Sequence, residues 1–216
     1  PVALLIIHTF APMSDLILSH LSADPAMARV IRETIDKPDF RQGNSDVYYD
    51  LLVSIISQQL SGKVAQVISG RFMALFSNQY PEPEDVLAME FEQLRAVGLS
   101  NSKTHYIRNV AEFFSSPEHR GKNWSEMSDE DIIRFLTQIK GVGRWTAEMV
   151  LMFTLNRTDV LPLDDLGIQQ SMAQLFGWQE SGKALHKKMV EAAERWRPYR
   201  TYACKFLWRW PRNTTK

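Results

Sequence analysis

The chain has 216 residues, enough for one domain or for two small lobes that share a core, and 44% of them are hydrophobic, which excludes a globally disordered protein. Lys and Arg together number 25, as do Asp and Glu, so the formal net charge is zero. That balance excludes a generally basic protein but leaves room for a local basic face. The single cysteine, Cys204, excludes an internal disulfide and any iron–sulfur cluster held by four cysteines, and it suits a reducing compartment.

The first 12 residues contain a short apolar run, Val2 to Ile7, with no basic segment before it. The run is too short to span a membrane and lacks the basic start of a signal peptide. Two interpretations stay open for residues 1–12, a native segment or an extension from upstream of Met13. From Met13 onward, SDLILSHL predicts a first helix capped by Ser14 or Asp15.

Helical periodicity then continues along the chain. Between Asp46 and Phe76, apolar residues at helical spacing, Val64 and Val67 among them, predict two helices with a break at Ser61-Gly62. Prolines and acids at the start of PEPEDVLAM predict another helix. The short segment FEQLRAVG ends at Gly98, a residue suited to the position after a helix.

The second half of the chain is also helical by pattern. SNSKTHYIRNVAEFF has a Ser/Asn start, and SDEDIIRFLTQI begins with Ser128 and acids in its first turn, which is a helix start signal. Further helices are predicted for about residues 144–155 and 165–176, and two more on either side of Pro198 close the chain. No segment alternates between apolar and polar residues, so the predicted class is all-α, with about ten short helices.

The segment KGVGRWTAEMV, residues 140–150, places two glycines one residue apart directly before a predicted helix. Gly141 and Gly143 permit positive φ and leave backbone N–H groups uncovered at a helix N-terminus, where a phosphate can bind. Val142 between them is expected to point inward. By spacing alone, a plain αα-hairpin explains this segment equally well.

Several segments, in the right order, resemble one family. Leu136 to Ala147 resembles the helix–hairpin–helix element of base-excision DNA glycosylases, and LPLDD resembles the loop that ends in that superfamily's catalytic aspartate. GVGRWTA, PLDDLGI, RWRPYRTYA, SIISQQLS and VGLSNSKTHYI together resemble the 3-methyladenine DNA glycosylase II branch. The resemblance covers roughly residues 46–210, and it is to a compact form without that branch's extra N-terminal α/β domain.

The resemblance implies that Asp165 is the catalytic residue. Its carboxylate would stabilise the positive charge that develops on deoxyribose as the N-glycosidic bond breaks, and it would orient or deprotonate water. A base alkylated at N3 or N7 is already cationic and leaves without a general acid, so one carboxylate is enough. From the residues alone, Asp164 and Asp165 compete, because either could cap the next helix. The resemblance gives catalysis to Asp165 and leaves the cap to Asp164.

Trp145 stands where bifunctional relatives carry the lysine that forms a Schiff base. The resemblance therefore implies a monofunctional enzyme without AP lyase activity. Enzymes of this kind flip the base out of the helix, and aromatic rings then hold it. The base-pocket candidates are Trp145, Met149, Tyr202 and Trp208, and for each of them the alternative is a place in the core.

A flipped base leaves a gap that a wedge must fill. The resemblance puts the wedge in Gln58-Gln59-Leu60, and the choice between Gln59 and Leu60 stays open. The other predicted DNA contacts are Ser61, Lys63, Lys103, Gly141, Val142, Gly143, Arg144 and Thr146. A basic residue among them is, taken singly, more often a solvated surface charge. Related hairpins also imply a monovalent cation held by the carbonyls of Ile139 and Val142; no other cofactor is expected.

We therefore predict two helical lobes with a helix–hairpin–helix motif at 136–150 and an active-site cleft between them. Lobe A spans about 46–155, and lobe B about 13–45 plus 165–216. The predicted function is the hydrolytic excision of alkylated purines from double-stranded DNA. We expect a monomer without a membrane partner, in the cytoplasm or nucleoid, or in the nucleus of a eukaryote. The alternatives are a related glycosylase for oxidised or deaminated bases and a non-catalytic hairpin module that binds DNA.

Overall fold

The computed structural model describes residues 13–40 and 46–210. Within these ranges the regular secondary structure is helical and contains no strand, so the all-α prediction is confirmed. The predictions for residues 1–12 lie outside the described residues. None of the helices in the described ranges is both long enough and apolar enough to cross a membrane.

The helices are α1 (Met13–Ser22), α2 (Pro25–Glu33), α3 (Val47–Ser57), α4 (Gly62–Met73), α5 (Pro83–Ala88), α6 (Phe91–Ala96), α7 (Asn101–Ser115), α8 (Pro117–Arg120), α9 (Asp129–Leu136), α10 (Arg144–Met149), α11 (Leu166–Phe176), α12 (Gly182–Ala193) and α13 (Arg200–Arg209). Short 3₁₀ turns lie between some of them, and one π-helical turn, Val150–Thr154, follows α10 directly. They form two compact units. Residues 13–40 and 157–210 belong to one, here called the split unit, and residues 46–156 belong to the other, the inserted unit.

In the split unit, α2 contacts both α1 and α13, and α11 contacts α12 and α13. One carboxylate links distant parts of this unit. Asp24 caps α2 by accepting a hydrogen bond from the Ala26 amide at 2.9 Å, and its second oxygen accepts one from Trp196 Nε1 at 2.7 Å. Trp196 is fully buried, so this bond joins residues 172 positions apart inside the core. Other buried side chains of the unit are Ile17, Leu21, Met27, Val30, Ile168, Met172, Met189, Phe206 and Leu207.

In the inserted unit, α7 is central and contacts α3, α5 and α6. The apolar positions predicted for α3 are buried, as are those of α7: Leu51, Leu52, Ile55, Ile56, Ile107, Val110, Ala111 and Phe114. The apolar face proposed for α4 is wrong in part. Val64 and Val67 are 45% and 52% exposed, and α4 buries Ala65, Phe72 and Met73 instead.

Caps and helix breaks predicted from the sequence coincide with several of the observed helix ends. The predicted break falls between the end of α3 at Ser57 and the start of α4 at Gly62. Gly98 follows α6 with φ +111°, and Ser128 caps α9 by accepting a hydrogen bond from the Asp131 amide. Helices α2 and α8 had no counterpart in the sequence interpretation, although each begins with a proline at its first position, a recognised start signal.

Candidate active site

Asp165 ends the LPLDD loop and is itself the N-cap of α11. Its Oδ1 accepts a hydrogen bond from the Ile168 amide at 2.8 Å, and the residue is 8% exposed. The expectation that Asp164 caps this helix is therefore wrong. The Asp164 side chain is 63% exposed, with Oδ1 3.8 Å from His186 Nε2. The cap position fixes the Asp165 carboxylate against the first turn of α11.

Trp208 holds the same carboxylate oxygen. Its Nε1 donates to Asp165 Oδ1 at 2.8 Å, and the side chain is half-buried on α13. Trp208 is a predicted base-pocket residue, and no sequence pattern indicates this bond. Gly167 makes room for it, because a Cβ at this position would lie 3.0 Å from Asp165 Oδ1 and 3.1 Å from Trp208 Cδ1. A glycine two residues after the aspartate in LPLDDLG was the one signal for such a close approach.

The hairpin at 136–150 is closed by its own backbone. The Val142 amide donates to the Ile139 carbonyl at 2.9 Å, and Val142 is 4% exposed, so it points inward as expected. Gly141 has φ +105°, and a Cβ there would lie 2.7 Å from Tyr106 Cβ, so glycine is required. Gly143 does not use the positive φ that glycine permits. Its φ is −91°, and a Cβ would meet nothing within 4 Å.

Two predicted DNA contacts of the hairpin have side chains that are engaged or buried within the protein. The Arg144 guanidinium lies against two acids, with Nε donating to Glu148 Oε1 at 3.1 Å and Nη1 to Glu130 Oε2 at 3.3 Å. Thr146 is 3% exposed, so its hydroxyl is not available to a phosphate. A DNA contact at Thr146 would therefore have to use backbone atoms.

Trp145 and Met149 lie one turn apart on α10. Trp145 is 39% exposed. Met149 lines a cavity of about 260 Å³ in the inserted unit together with Asp50, Val53, Ser54, Val150, Phe153 and Thr154. Four of these lining residues belong to the end of α10 and the π-helical turn, a distortion that is frequent at functional sites. Asp50, Ser54 and Phe153 are not among the predicted site residues. Helical periodicity carries no signal for the π turn that places Phe153, and Asp50 and Ser54 lie on α3, far away in the sequence.

The cavity has a polar side and an aromatic side. Thr154 Oγ1 donates to Asp50 Oδ2 at 2.7 Å, which fixes the carboxylate of α3 against the π-helical turn. Phe153 is 45% exposed. An exposed ring beside hydrogen-bonded polar groups is a surface on which a flat, polar ligand could stack.

Tyr202 is an interior residue. It is 7% exposed, its ring stacks on Phe40 with a centroid separation of 5.2 Å, and burial raises the pKa of its phenol. The structure therefore favours the core alternative for this ring over the predicted base pocket.

The predicted wedge is a tight turn between α3 and α4. Gln58 is the C-cap of α3, and the Leu60 amide donates to the Ser57 carbonyl at 3.2 Å. Gln59 is exposed and has φ +59°, whereas Leu60 is half-buried. Exposure favours Gln59 as the residue presented to a partner.

The predicted phosphate contacts near this turn divide into two groups. Ser61, the N-cap residue of α4, and Lys63 are exposed, as a DNA contact requires. Lys103 is different. Its Nζ donates to the carbonyl of Ile56 at 2.8 Å and to that of Gln58 at 2.6 Å. The structure thus gives the Lys103 ammonium protein partners in place of the predicted phosphate.

No group of three or more His, Cys, Asp or Glu side chains within residues 13–40 and 46–210 is arranged to hold a metal ion. The backbone cation site predicted at Ile139 and Val142 is of another kind and stays a prediction. The Ile139 carbonyl already accepts the Val142 amide and has a second lone pair.

The comparisons with known proteins identify the family of the chain. The family model described as HhH-GPD superfamily base excision DNA repair protein matches residues 52–198. The chain is 37% identical over 175 residues to DNA-3-methyladenine glycosylase 1 of Schizosaccharomyces pombe, covering 80% of this chain and 76% of that protein. It is 32% identical to the putative DNA-3-methyladenine glycosylase YfjP of Bacillus subtilis, covering 76% of this chain and 58% of that protein.

Solved structures give the same result. The S. pombe 3-methyladenine DNA glycosylase Mag1 in complex with abasic DNA is similar with a TM-score of 0.76 and 33% identity, over 89% of this chain and 95% of that one. A DNA-3-methyladenine glycosidase from Bacillus halodurans gives a TM-score of 0.72 at 33% identity, over 92% and 90%. The chain therefore belongs to the HhH-GPD superfamily of base excision DNA repair proteins.

Proposed function

We propose that this protein is a monofunctional DNA glycosylase that excises alkylated purines from double-stranded DNA and leaves an abasic site. The observation that carries the proposal is the position of Asp165. Its carboxylate is the N-cap of α11 and is held by the Ile168 amide and the Trp208 indole, each at 2.8 Å. Two relatives above 30% identity are named as DNA-3-methyladenine glycosylases, one of them as a putative one.

The reaction needs little more than a fixed negative charge. As the bond between C1′ and the purine nitrogen breaks, its electron pair leaves with the cationic base, which departs neutral, and the sugar becomes cationic. Water adds to C1′, and the proton that it loses passes to Asp165 or to solvent. At about 4 Å, opposite unit charges attract by roughly 4 kcal/mol at an effective dielectric constant near 20. A buried, oriented carboxylate is suited to that task.

The absence of a lyase step follows from one residue. Schiff-base chemistry at C1′ requires a primary amine, and position 145, at the start of α10, is tryptophan. Lys140 lies five positions earlier and is exposed, with its carbonyl accepting a hydrogen bond from Asn109 Nδ2 at 2.9 Å. An abasic product with both strands intact is therefore expected.

DNA binding is assigned to the hairpin and to the turn between α3 and α4. Backbone amides at the start of α10 would meet phosphate, and a monovalent cation on the carbonyls of Ile139 and Val142 would add positive charge there. Gln59 would enter the gap left by the flipped base. Met149 and Phe153 would contact the base from the wall of their cavity. We expect the protein to act as a monomer wherever the cell keeps its DNA.

The deciding experiment is Asp165→Asn with a duplex that contains one 7-methylguanine. The amide oxygen of Asn can still accept from Ile168 and Trp208, so the cap is retained while the charge is lost. Single-turnover release of the base is expected to fall by about two to three orders of magnitude, as when one group that stabilises the transition state is removed. Binding to an abasic-site duplex should stay within about threefold, which is under 1 kcal/mol. Unchanged release would refute the proposal.

The lyase prediction is tested separately. Borohydride added during turnover is expected to trap no covalent complex, and the abasic strand should remain intact until it is treated with alkali. A trapped complex would show that an amine of this protein reaches C1′, and the monofunctional assignment would then be wrong.

A further inference from the structure

The turn that carries Gln59 has weak support of its own. Helix α3 ends without a glycine, Gln58 is already outside helical geometry at φ −50° and ψ 132°, and Gln59 has φ +59°. Left-handed backbone is unfavourable at a residue with a side chain, and it persists only where neighbouring groups enforce it. Within the turn, the 3.2 Å bond from the Leu60 amide to the Ser57 carbonyl is long.

Lys103 supplies that enforcement from another helix. It lies in the first turn of α7, where the Ser100 hydroxyl accepts a hydrogen bond from its amide at 3.3 Å. From there its ammonium donates to the carbonyls of Ile56 and Gln58, at 2.8 and 2.6 Å. These carbonyls lie at the end of α3, where no helical amide remains to bind them and where positive charge is favoured. Hydrogen bonds from a charged donor are about twice as strong as neutral ones.

The surroundings of Lys103 agree with a structural attachment. The side chain is half-buried, and burial lowers the pKa of its ammonium. Lys63, at the start of α4 on the other side of the turn, is exposed. Of the two lysines predicted to bind phosphate, Lys63 is thus the more exposed, as such a contact requires.

We infer that Lys103 is a positioning residue that fixes the Gln58–Leu60 turn and thereby sets Gln59 for insertion into the gap left by a flipped base. The inference rests on the proposed glycosylase function. Lys103 acts through the turn and touches neither the base nor the sugar. Its contribution should therefore depend on how costly it is to open the DNA.

The test compares two substrates with the same lesion. One carries 7-methylguanine in a fully paired duplex, and the other carries it in a bubble of three mismatches, where the base is already unpaired. Lys103→Met keeps the side-chain stem and removes the ammonium. We expect the single-turnover rate to fall about tenfold or more on the duplex, since extrusion costs a few kcal/mol and each 1.36 kcal/mol is tenfold. On the bubble the fall should be under about threefold, because most of that cost is absent.

The duplex-to-bubble ratio separates positioning from other roles. A smaller folded fraction would lower both rates equally and leave the ratio unchanged. If Lys103 contacted phosphate, its loss would weaken the binding of both substrates and would reduce the salt dependence of duplex binding by about one charge. A ratio within about twofold of wild type, or such a loss of salt dependence, overturns the inference, since twofold is only about 0.4 kcal/mol. Lys187→Met, which removes an 80% exposed lysine, is the matched control and should leave the ratio unchanged.

Two further variants complete the test. If Lys103→Met does not fold, the duplex-to-bubble rate ratio is measured on Lys103→Gln instead. Lys103→Arg keeps a positive charge beside the two carbonyls and should recover part of the duplex rate. If the wild-type chain releases base from neither substrate, the proposed function fails and the inference falls with it. If the wild type is active and the ratio stays constant, only the inference fails.

Discussion

The two units present their candidate functional groups in different ways. In the split unit, the carboxylate of Asp165 is almost buried and is held by an amide and an indole. In the inserted unit, the groups assigned to DNA lie on turns, where Gln59 and Gly141 have positive φ. The carboxylate proposed to react is thus fixed by hydrogen bonds from a backbone amide and an indole, whereas the groups proposed to face DNA lie on turns with unusual backbone conformations. Substitutions should therefore affect chemistry in one unit and DNA engagement in the other.

The largest effect in this contrast is expected at the hairpin. In Gly141→Ala the new Cβ meets Tyr106, and φ +105° is unfavourable for any residue with a side chain. We expect a loss of roughly 1–3 kcal/mol of stability and a similar loss in the free energy of DNA binding. Thermal unfolding and binding to an abasic duplex measure the two losses.

Gly143→Ala is the control for this change. Its φ is −91° and the space around a Cβ is open, so stability should change by less than about 0.5 kcal/mol. Equal effects of the two alanines would mean that the hairpin does not depend on the conformation of Gly141.

An effect of comparable size is expected at the indole bond to the carboxylate. Trp208→Phe keeps a ring but removes the N–H that donates to Asp165 Oδ1. A hydrogen bond to a charged group contributes about 1.5–3 kcal/mol, so the excision rate should fall roughly tenfold or more. Trp196→Phe removes an equivalent bond, to Asp24, inside the same unit. It should lower the unfolding temperature but not the rate at full saturation. If both variants lose the same activity, the Trp208 bond is merely structural.

These examples show which features could be read from the sequence. Helix caps such as Ser128 and the break before Gly62 depend on neighbours a few positions away, so their residue types predict them. Asp165 was found by resemblance, but its role as the cap was given to Asp164. Both residue types were suitable, and backbone geometry made the choice. The bonds of Asp165 to Trp208 and of Lys103 to Gln58 join residues 43 and 45 positions apart, and no local pattern encodes such pairs.

A smaller effect is expected at the wedge. In Gln59→Gly the glycine adopts φ +59° without strain, which stabilises the folded state, but it also makes the unfolded chain more flexible. The two effects should nearly cancel, so the free energy of unfolding should change by less than about 1 kcal/mol. Excision from paired duplex should still fall several-fold, because nothing then fills the gap. Leu60→Ala is the comparison. A larger loss with that variant would make Leu60 the inserted residue.

The smallest expected effect is a pH dependence of stability that comes from the buried tyrosines of the two units. Burial raises the pKa of Tyr48, in the inserted unit, far above its usual 10.0, and its hydroxyl donates to the Pro81 carbonyl at 2.6 Å. Because the pKa is raised in the folded state, the contribution of Tyr48 to the free energy of unfolding is fully present below pH 10. It is lost as the pH rises further, by up to about 1.4 kcal/mol per pH unit. Urea unfolding between pH 8 and pH 11 should show this decline.

The matched variants are Tyr48→Phe and Tyr202→Phe. Burial also raises the pKa of Tyr202, in the split unit, so removal of either hydroxyl should flatten the decline. An equal slope in both variants and in the wild type would contradict this assignment.

The bond between Asp24 and Trp196 has a consequence for synthesis on the ribosome. All of the inserted unit is translated before Trp196 exists, while α1 and α2 emerge early without the helices that bury them. The apolar faces of α1 and α2 stay exposed to solvent or to a chaperone until more than half of the polypeptide has been translated. The order of translation therefore lets the inserted unit fold first, and the split unit is completed only after α12 and α13 have emerged.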